Sequence, residues 1–104
     1  FWAFTTETLF GRVWSRPGLS LRERQMITLA VLITVDADRG SMNHLRWAHN
    51  VGITETEMRE IIIQTMFYAG WPKGAHAMAR FAKILAEPGN GYRAPAAGQQ
   101  GEKA

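Results

Sequence analysis

The segment SLRERQMITLAVLITVD, residues 20–36, can be read in two ways. Its second half is rich in β-branched residues and would suit a buried strand as well as a helix. Ser20 followed three residues later by Glu23 has the form of a capping box, in which each side chain satisfies a free backbone N–H of a helix start. With the unbroken length from Leu21 to about Asp36, that signal predicts a helix. The centre of this helix is apolar on nearly every side, which demands burial all round.

The flanking segments follow the same pattern. Upstream, Leu9, Phe10, Val13 and Trp14 share one helical face and predict a helix from about Thr6 to Trp14, broken by Pro17 and Gly18. Downstream, DADRGS (36–41) reads as a loop, followed by a helix from about Ser41 to Asn50 with Gly52 just beyond it. Thr54 and Glu57 form a second capping box and open a helix from Glu55 to about Ala69. Met58, Ile61, Ile62, Thr65, Met66 and Ala69 keep its i, i+3, i+4 spacing. Gly70 ends it, Pro72 suits the first turn of a fifth helix, and Ala75, Met78, Ala79, Ala82, Leu85 and Ala86 share a face of that helix. Pro88 and Gly89 stop it. The expectation is an all-α bundle of about five helices over residues 1–88, with no strand, and a flexible C-terminal tail over 89–104. The second and fourth helices are too apolar for one small domain to cover, Ile63 and Phe67 lying off the main stripe of the fourth. Assembly into a homo-oligomer is the simplest remedy.

Composition narrows the classes. A chain of 104 residues is one domain by length, and 46% hydrophobic with 20% charged residues is globular. The 12 Lys and Arg are interspersed with the 9 Asp and Glu, which argues against a nucleic-acid surface. There is no cysteine, so disulfides, thiolate metal sites and Cys-x-x-Cys chemistry are excluded. The longest apolar run, Met26 to Val35, is interrupted by Thr28 and too short to span a bilayer. The sequence as given opens with no charged n-region, apolar h-region and cleavage site, so a cytoplasmic location without membrane contact is expected.

The chemistry-bearing residues concentrate in SMNHLRWAHNVG, residues 41–52. His44 and His49 are five apart, about 140° round a helix, which is wrong for a shared metal face. No Gly-x-Ser-x-Gly elbow and no glycine-rich phosphate loop occurs. His44 shares its face with Leu45, Ala48 and Val51 and so points inward. From spacing alone it is either a satisfied structural histidine or a positioned acid or base. His49 is expected to face outward or toward a neighbouring subunit, and nothing in the sequence requires His76 to join a site. Arg16 and Arg24 flank the start of the second helix, where they are surface charges or anchors for a carboxylate.

Four segments together resemble the carboxymuconolactone decarboxylase family: GRVWSRPGLS (11–20), RQMITLA (24–30), HLRWAHNVGITETEMREII (44–62) and FYAGWP (67–72). The order and spacing match over about residues 8 to 87. The resemblance implies the all-α, alkylhydroperoxidase-D-like fold, assembled as trimers or hexamers with active sites near subunit contacts. The peroxidase branch of that superfamily carries Cys-x-x-Cys, a histidine four residues later and an upstream glutamate. Here the cysteine positions match Ala37 and Gly40, the histidine matches His44, and the glutamate position falls at Gln25. The resemblance is therefore to the decarboxylase branch. It implies a cofactor-independent decarboxylase, with neither metal nor organic cofactor, acting on a small carboxylated lactone such as 4-carboxymuconolactone in aromatic-compound degradation. His44 would be the catalytic proton donor or oxyanion stabiliser, Arg16 and Arg24 the substrate anchors, and Gln25 a neutral hydrogen-bonding neighbour of the substrate. Arg46 matches the family pattern but lies about 160° from His44 on its helix. The rival expectations are a diverged member acting on another small acid or lactone, and a non-catalytic oligomeric binding protein.

Overall fold

The computed structural model describes residues 1–92, whose regular elements are all helices, with no strand among them. A short helix α1 (Trp2–Phe4) runs directly into a π-helical segment, Thr5–Val13, and is followed by α2 (Leu21–Thr34), α3 (Asp38–Trp47), a 3₁₀ turn (Ala48–Val51), α4 (Glu55–Ala69) and α5 (Trp71–Leu85). The last four helices form a ring in which α2 and α5 each pack against both α3 and α4. Leu29, Ile33, Leu45, Met58, Ile62, Phe81 and Ile84 fill its centre, all fully buried.

Both capping boxes are formed. The Ser20 hydroxyl accepts from the Glu23 N–H at 3.0 Å and the Glu23 carboxylate accepts from the Ser20 N–H at 2.8 Å. The Thr54–Glu57 pair does the same at the start of α4, with 3.1 and 3.0 Å. Gly52 adopts φ +89, the left-handed conformation that closes the 3₁₀ turn and that glycine takes without steric cost.

Four boundaries or faces differ from the sequence expectation. The first helix begins at Trp2 rather than near Thr6 and carries i→i−5 bonding to its end, where Trp14 N–H donates to Leu9 C=O at 2.9 Å. α2 ends at Thr34, short of Asp36, because Asp36 turns to φ +58. Its carboxylate there accepts from His76 Nδ1 at 2.7 Å and forms an ion pair with Arg80 at 2.9 Å. α3 begins at Asp38, so most of DADRGS is helix and not loop. Asp38 complements the positive end of that helix and pairs with Arg80 at 3.0 Å. Gly40 lets α3 approach α2: a Cβ there would stand 3.3 Å from Leu32 Cδ2 and 3.8 Å from the Ala37 Cβ. Finally, α5 buries Gly74, Ala77, Phe81 and Ile84, while Ala75, Ala79, Ala82 and Ala86 are exposed. The larger apolar gain from Phe81 and Ile84 overrides the alanine stripe.

Tyr92, assigned to the tail by its position after Pro88, is buried edge-on against Phe81 with centroids 5.1 Å apart, and its hydroxyl donates to the Leu45 carbonyl. The rest of the expected tail, residues 93–104, lies outside the described residues. Ile27 and Val31 on α2, Val35 just after it, and Ile63 and Phe67 on α4 are exposed in the single chain, as are Phe1, Trp2 and Phe4. No helix among the described residues is long and apolar enough to cross a membrane.

Candidate active site

His44 is carried on the last turn of α3, half-buried, between two indoles. The Trp14 ring stacks on it with centroids 6.1 Å apart and planes inclined by 19°. Trp47, one helical turn on, meets it edge-to-face at 5.8 Å. Beneath it, Gln25 on α2 is buried, 4% exposed, and engages His44 twice. The Gln25 Nε2 donates to the His44 backbone carbonyl at 2.9 Å, and Gln25 Oε1 lies 3.0 Å from His44 Nδ1. Burial holds the imidazole below the usual histidine range, so the ring is neutral at pH 7.

Trp14 also connects His44 to Arg24. Both Trp14 and Arg24 line a cleft of about 180 Å³, completed by Val13, Leu19 and Ile27. One Arg24 terminal nitrogen donates to the Arg16 carbonyl at 3.0 Å. The Arg24 Nε is buried without a hydrogen-bond partner among the described residues. A buried donor of this kind carries an unmet desolvation cost. Arg16 supplies the carbonyl that positions Arg24, while its own side chain is exposed.

The other polar residues of the region are engaged elsewhere. Arg46 forms a two-pronged pair with Glu87, 3.0 Å from Nε and 2.8 Å from a terminal nitrogen, which locks the end of α3 to the segment after α5. His49 packs edge-to-face on Tyr92 at 5.5 Å and lies directly beneath Gly91, whose φ of +91 and missing Cβ leave room for the imidazole. His76 is bound to Asp36. The three histidines therefore have separate surroundings. Trp14 and Trp47 carried no signal as site residues in the sequence. Trp47 stands at i+3 from His44 and could have been placed by helical spacing; Trp14 could not, since its contact crosses from a different element.

An all-helical ring with a histidine held between α2 and α3 defines the class, and comparison with known proteins names it. The profile of the carboxymuconolactone decarboxylase family matches residues 1–83, and the chain belongs to that family. It is 35% identical over 89 residues to a 4-carboxymuconolactone decarboxylase from Acinetobacter baylyi. It is 40% identical over 80 residues to a nitrosuccinic acid decarboxylase from Metarhizium robertsii. These alignments cover 86% and 77% of this chain but 66% and 56% of the two relatives, so the chain spans somewhat under two thirds of the proteins it resembles.

Proposed function

We propose that this chain catalyses decarboxylation of a small, doubly carboxylated acid, with 4-carboxymuconolactone as the first substrate to test. The carrying observation is the arrangement at Trp14, which stacks on the His44 imidazole and also walls the Arg24 cleft. His44 is not among the residues lining that cleft, so the shared indole is what relates the imidazole to Arg24. The relatives' names support a decarboxylase, and their two substrates share one feature. Each carries a carboxylate on a carbon joined to an electron sink: the conjugated lactone in one, the nitro group in the other.

The chemistry follows from that sink. The bond to the departing carboxylate breaks, CO₂ leaves, and the electron pair passes to an oxygen of the dienolate or nitronate. A new C–H bond then forms with a proton from His44. The reaction consumes one proton and needs no electron acceptor outside the substrate, so the proposal is cofactor-independent. Arg24 anchors a carboxylate, its guanidinium held by the Arg16 carbonyl, and the exposed Arg16 side chain is the second anchor. A general acid in this position is worth roughly 10²- to 10⁴-fold. Under this reading the enzyme serves the breakdown of aromatic compounds and works as a homo-oligomer, trimer or hexamer. Its exposed Ile27, Val31, Val35, Ile63 and Phe67 support such an assembly.

The test is CO₂ release from 4-carboxymuconolactone and from 2-nitrosuccinate, for the native chain and His44→Gln. Turnover of the lactone, with a loss on the order of 10²-fold or more in His44→Gln, is expected. Turnover of nitrosuccinate instead selects the second reading, which the 40% identity to the nitrosuccinic acid enzyme favours. No release from either, or full turnover by His44→Gln, overturns the proposal.

A further inference from the structure

We infer that Gln25 is a positioning residue that fixes the tautomer of His44, leaving Nε2 as the one ring nitrogen able to take up and deliver a proton. The inference rests on the reading of His44 as the proton carrier, but its central measurement needs no substrate.

The argument is one of donors and acceptors. A backbone carbonyl only accepts hydrogen bonds, so the end of Gln25 that lies 2.9 Å from the His44 carbonyl must be its NH₂. The other end is then the amide oxygen, which only accepts. It lies 3.0 Å from His44 Nδ1, so Nδ1 must carry hydrogen. Gln25 is buried and belongs to α2, whereas His44 belongs to α3, so the rotamer that makes both bonds is held by the packing of two core helices. The neutral ring is therefore Nδ1–H with a lone pair on Nε2. A free histidine side chain favours the opposite tautomer, so the fold imposes this one.

This has a consequence for the reaction. In the resting ring Nε2 is a base, not an acid. A proton must be loaded there before it can be handed to carbon, and a dianionic substrate raises the ring's affinity for that proton. The loaded imidazolium is stacked on the face of Trp14, which favours a cation. After transfer to carbon, Nε2 is recharged from solvent. The neutral amide of Gln25 stays bonded to Nδ1–H through the cycle without competing for the proton. A carboxylate at the same position would favour the imidazolium and so hold the proton more tightly against its transfer.

Nitrogen-15 NMR of histidine-labelled protein at neutral pH, without ligand, is the deciding measurement, with His44 assigned by comparison with His44→Gln. We expect a pyrrole-like Nδ1 and a pyridine-like Nε2 for His44, and reversal of the two in Gln25→Leu. A protonated Nε2 in the native protein, or an unchanged tautomer in Gln25→Leu, overturns the inference. If Gln25→Leu does not fold, the native spectrum alone still decides. On a substrate that the native chain turns over, Gln25→Leu should lose on the order of tenfold or more in kcat with little change in KM. Gln25→Glu should move the alkaline limb of the kcat profile upward by roughly one pH unit or more. A limb that stays where it is would show that the group titrating in it is not bonded to residue 25, and that outcome also overturns the inference. Absence of turnover on every substrate, with the expected tautomer present, would instead count against the proposed function alone.

Discussion

The indole of Trp14 lies nearly parallel to the imidazole of His44, 6.1 Å from it, and so ties the end of the N-terminal helical segment to α3. Of the large apolar residues of that segment, Trp14 alone is partly buried, while Phe1, Trp2, Phe4, Leu9, Phe10 and Val13 are exposed. One aromatic contact therefore does much of the work of holding the segment against the ring of helices.

That contact makes Trp14→Ala a local mutation. Hydrogen exchange over residues 2–14 should accelerate while α2 to α5 keep their protection, since an aromatic pair is worth only about 0.5–1.5 kcal/mol beyond its buried area. The measurement is exchange followed by mass spectrometry on peptides from each helix. Unchanged exchange over residues 2–14 would mean that other contacts dock the segment.

The depressed proton affinity of His44 sets a pH dependence of stability. Burial lowers its pKa from the ordinary 6.5, so between the two values the unfolded chain binds the proton more readily than the folded one. Stability contributed by this residue is complete above about pH 6.5 and declines as the pH falls through that window. Urea unfolding at about pH 7.5 and about pH 5 should show a larger loss for the native chain than for His44→Gln. Asp36 acts in a separate range. The hydrogen bond from His76, with help from Arg80, keeps its carboxyl below the usual 3.8, so its contribution persists above that value and is lost in stronger acid.

The buried face of α5 can be tested by two substitutions on one helix. Phe81 is fully buried against Tyr92, and Phe81→Ala should cost about 3–5 kcal/mol in chemical denaturation. Ala79→Lys changes an exposed position and should stay within about 0.5 kcal/mol in the single chain. A large loss from Ala79→Lys at concentrations that favour assembly, absent on dilution, would place that face in a subunit contact.

Much of the architecture was legible because it rests on local signals. Ser20–Glu23 and Thr54–Glu57 fixed two helix starts to the residue, and Gly52 closed the turn after α3, since each motif satisfies backbone groups within a few positions of itself. Apart from the early start and i→i−5 bonding of the first helix, the misreadings involve partners distant in sequence. The early start of α3 is held by Arg80, and the end of α2 is held by Asp36 bonding to His76 and Arg80. On α5 an alanine stripe looked regular enough to be the core, and only the packing of Phe81 against Tyr92 shows otherwise. His44 was visible as an inward-facing histidine, and Gln25 as its counterpart through a family resemblance. Neither the two-point bond between them nor the stacking of Trp14 has a signature in the sequence, because each joins side chains from different helices.

Ala37 and Gly40 bear on how such a scaffold changes its chemistry. A Cβ at Gly40 would stand 3.8 Å from that of Ala37, the spacing at which two cysteines bridge. Ala37 is the N-cap of α3, where the helix end favours a thiolate. The backbone thus retains a seat for a dithiol one turn from His44, with Leu32 as the neighbour that would have to yield. The geometry of a dithiol is thus present at the start of α3, while the side chains that would use it are not.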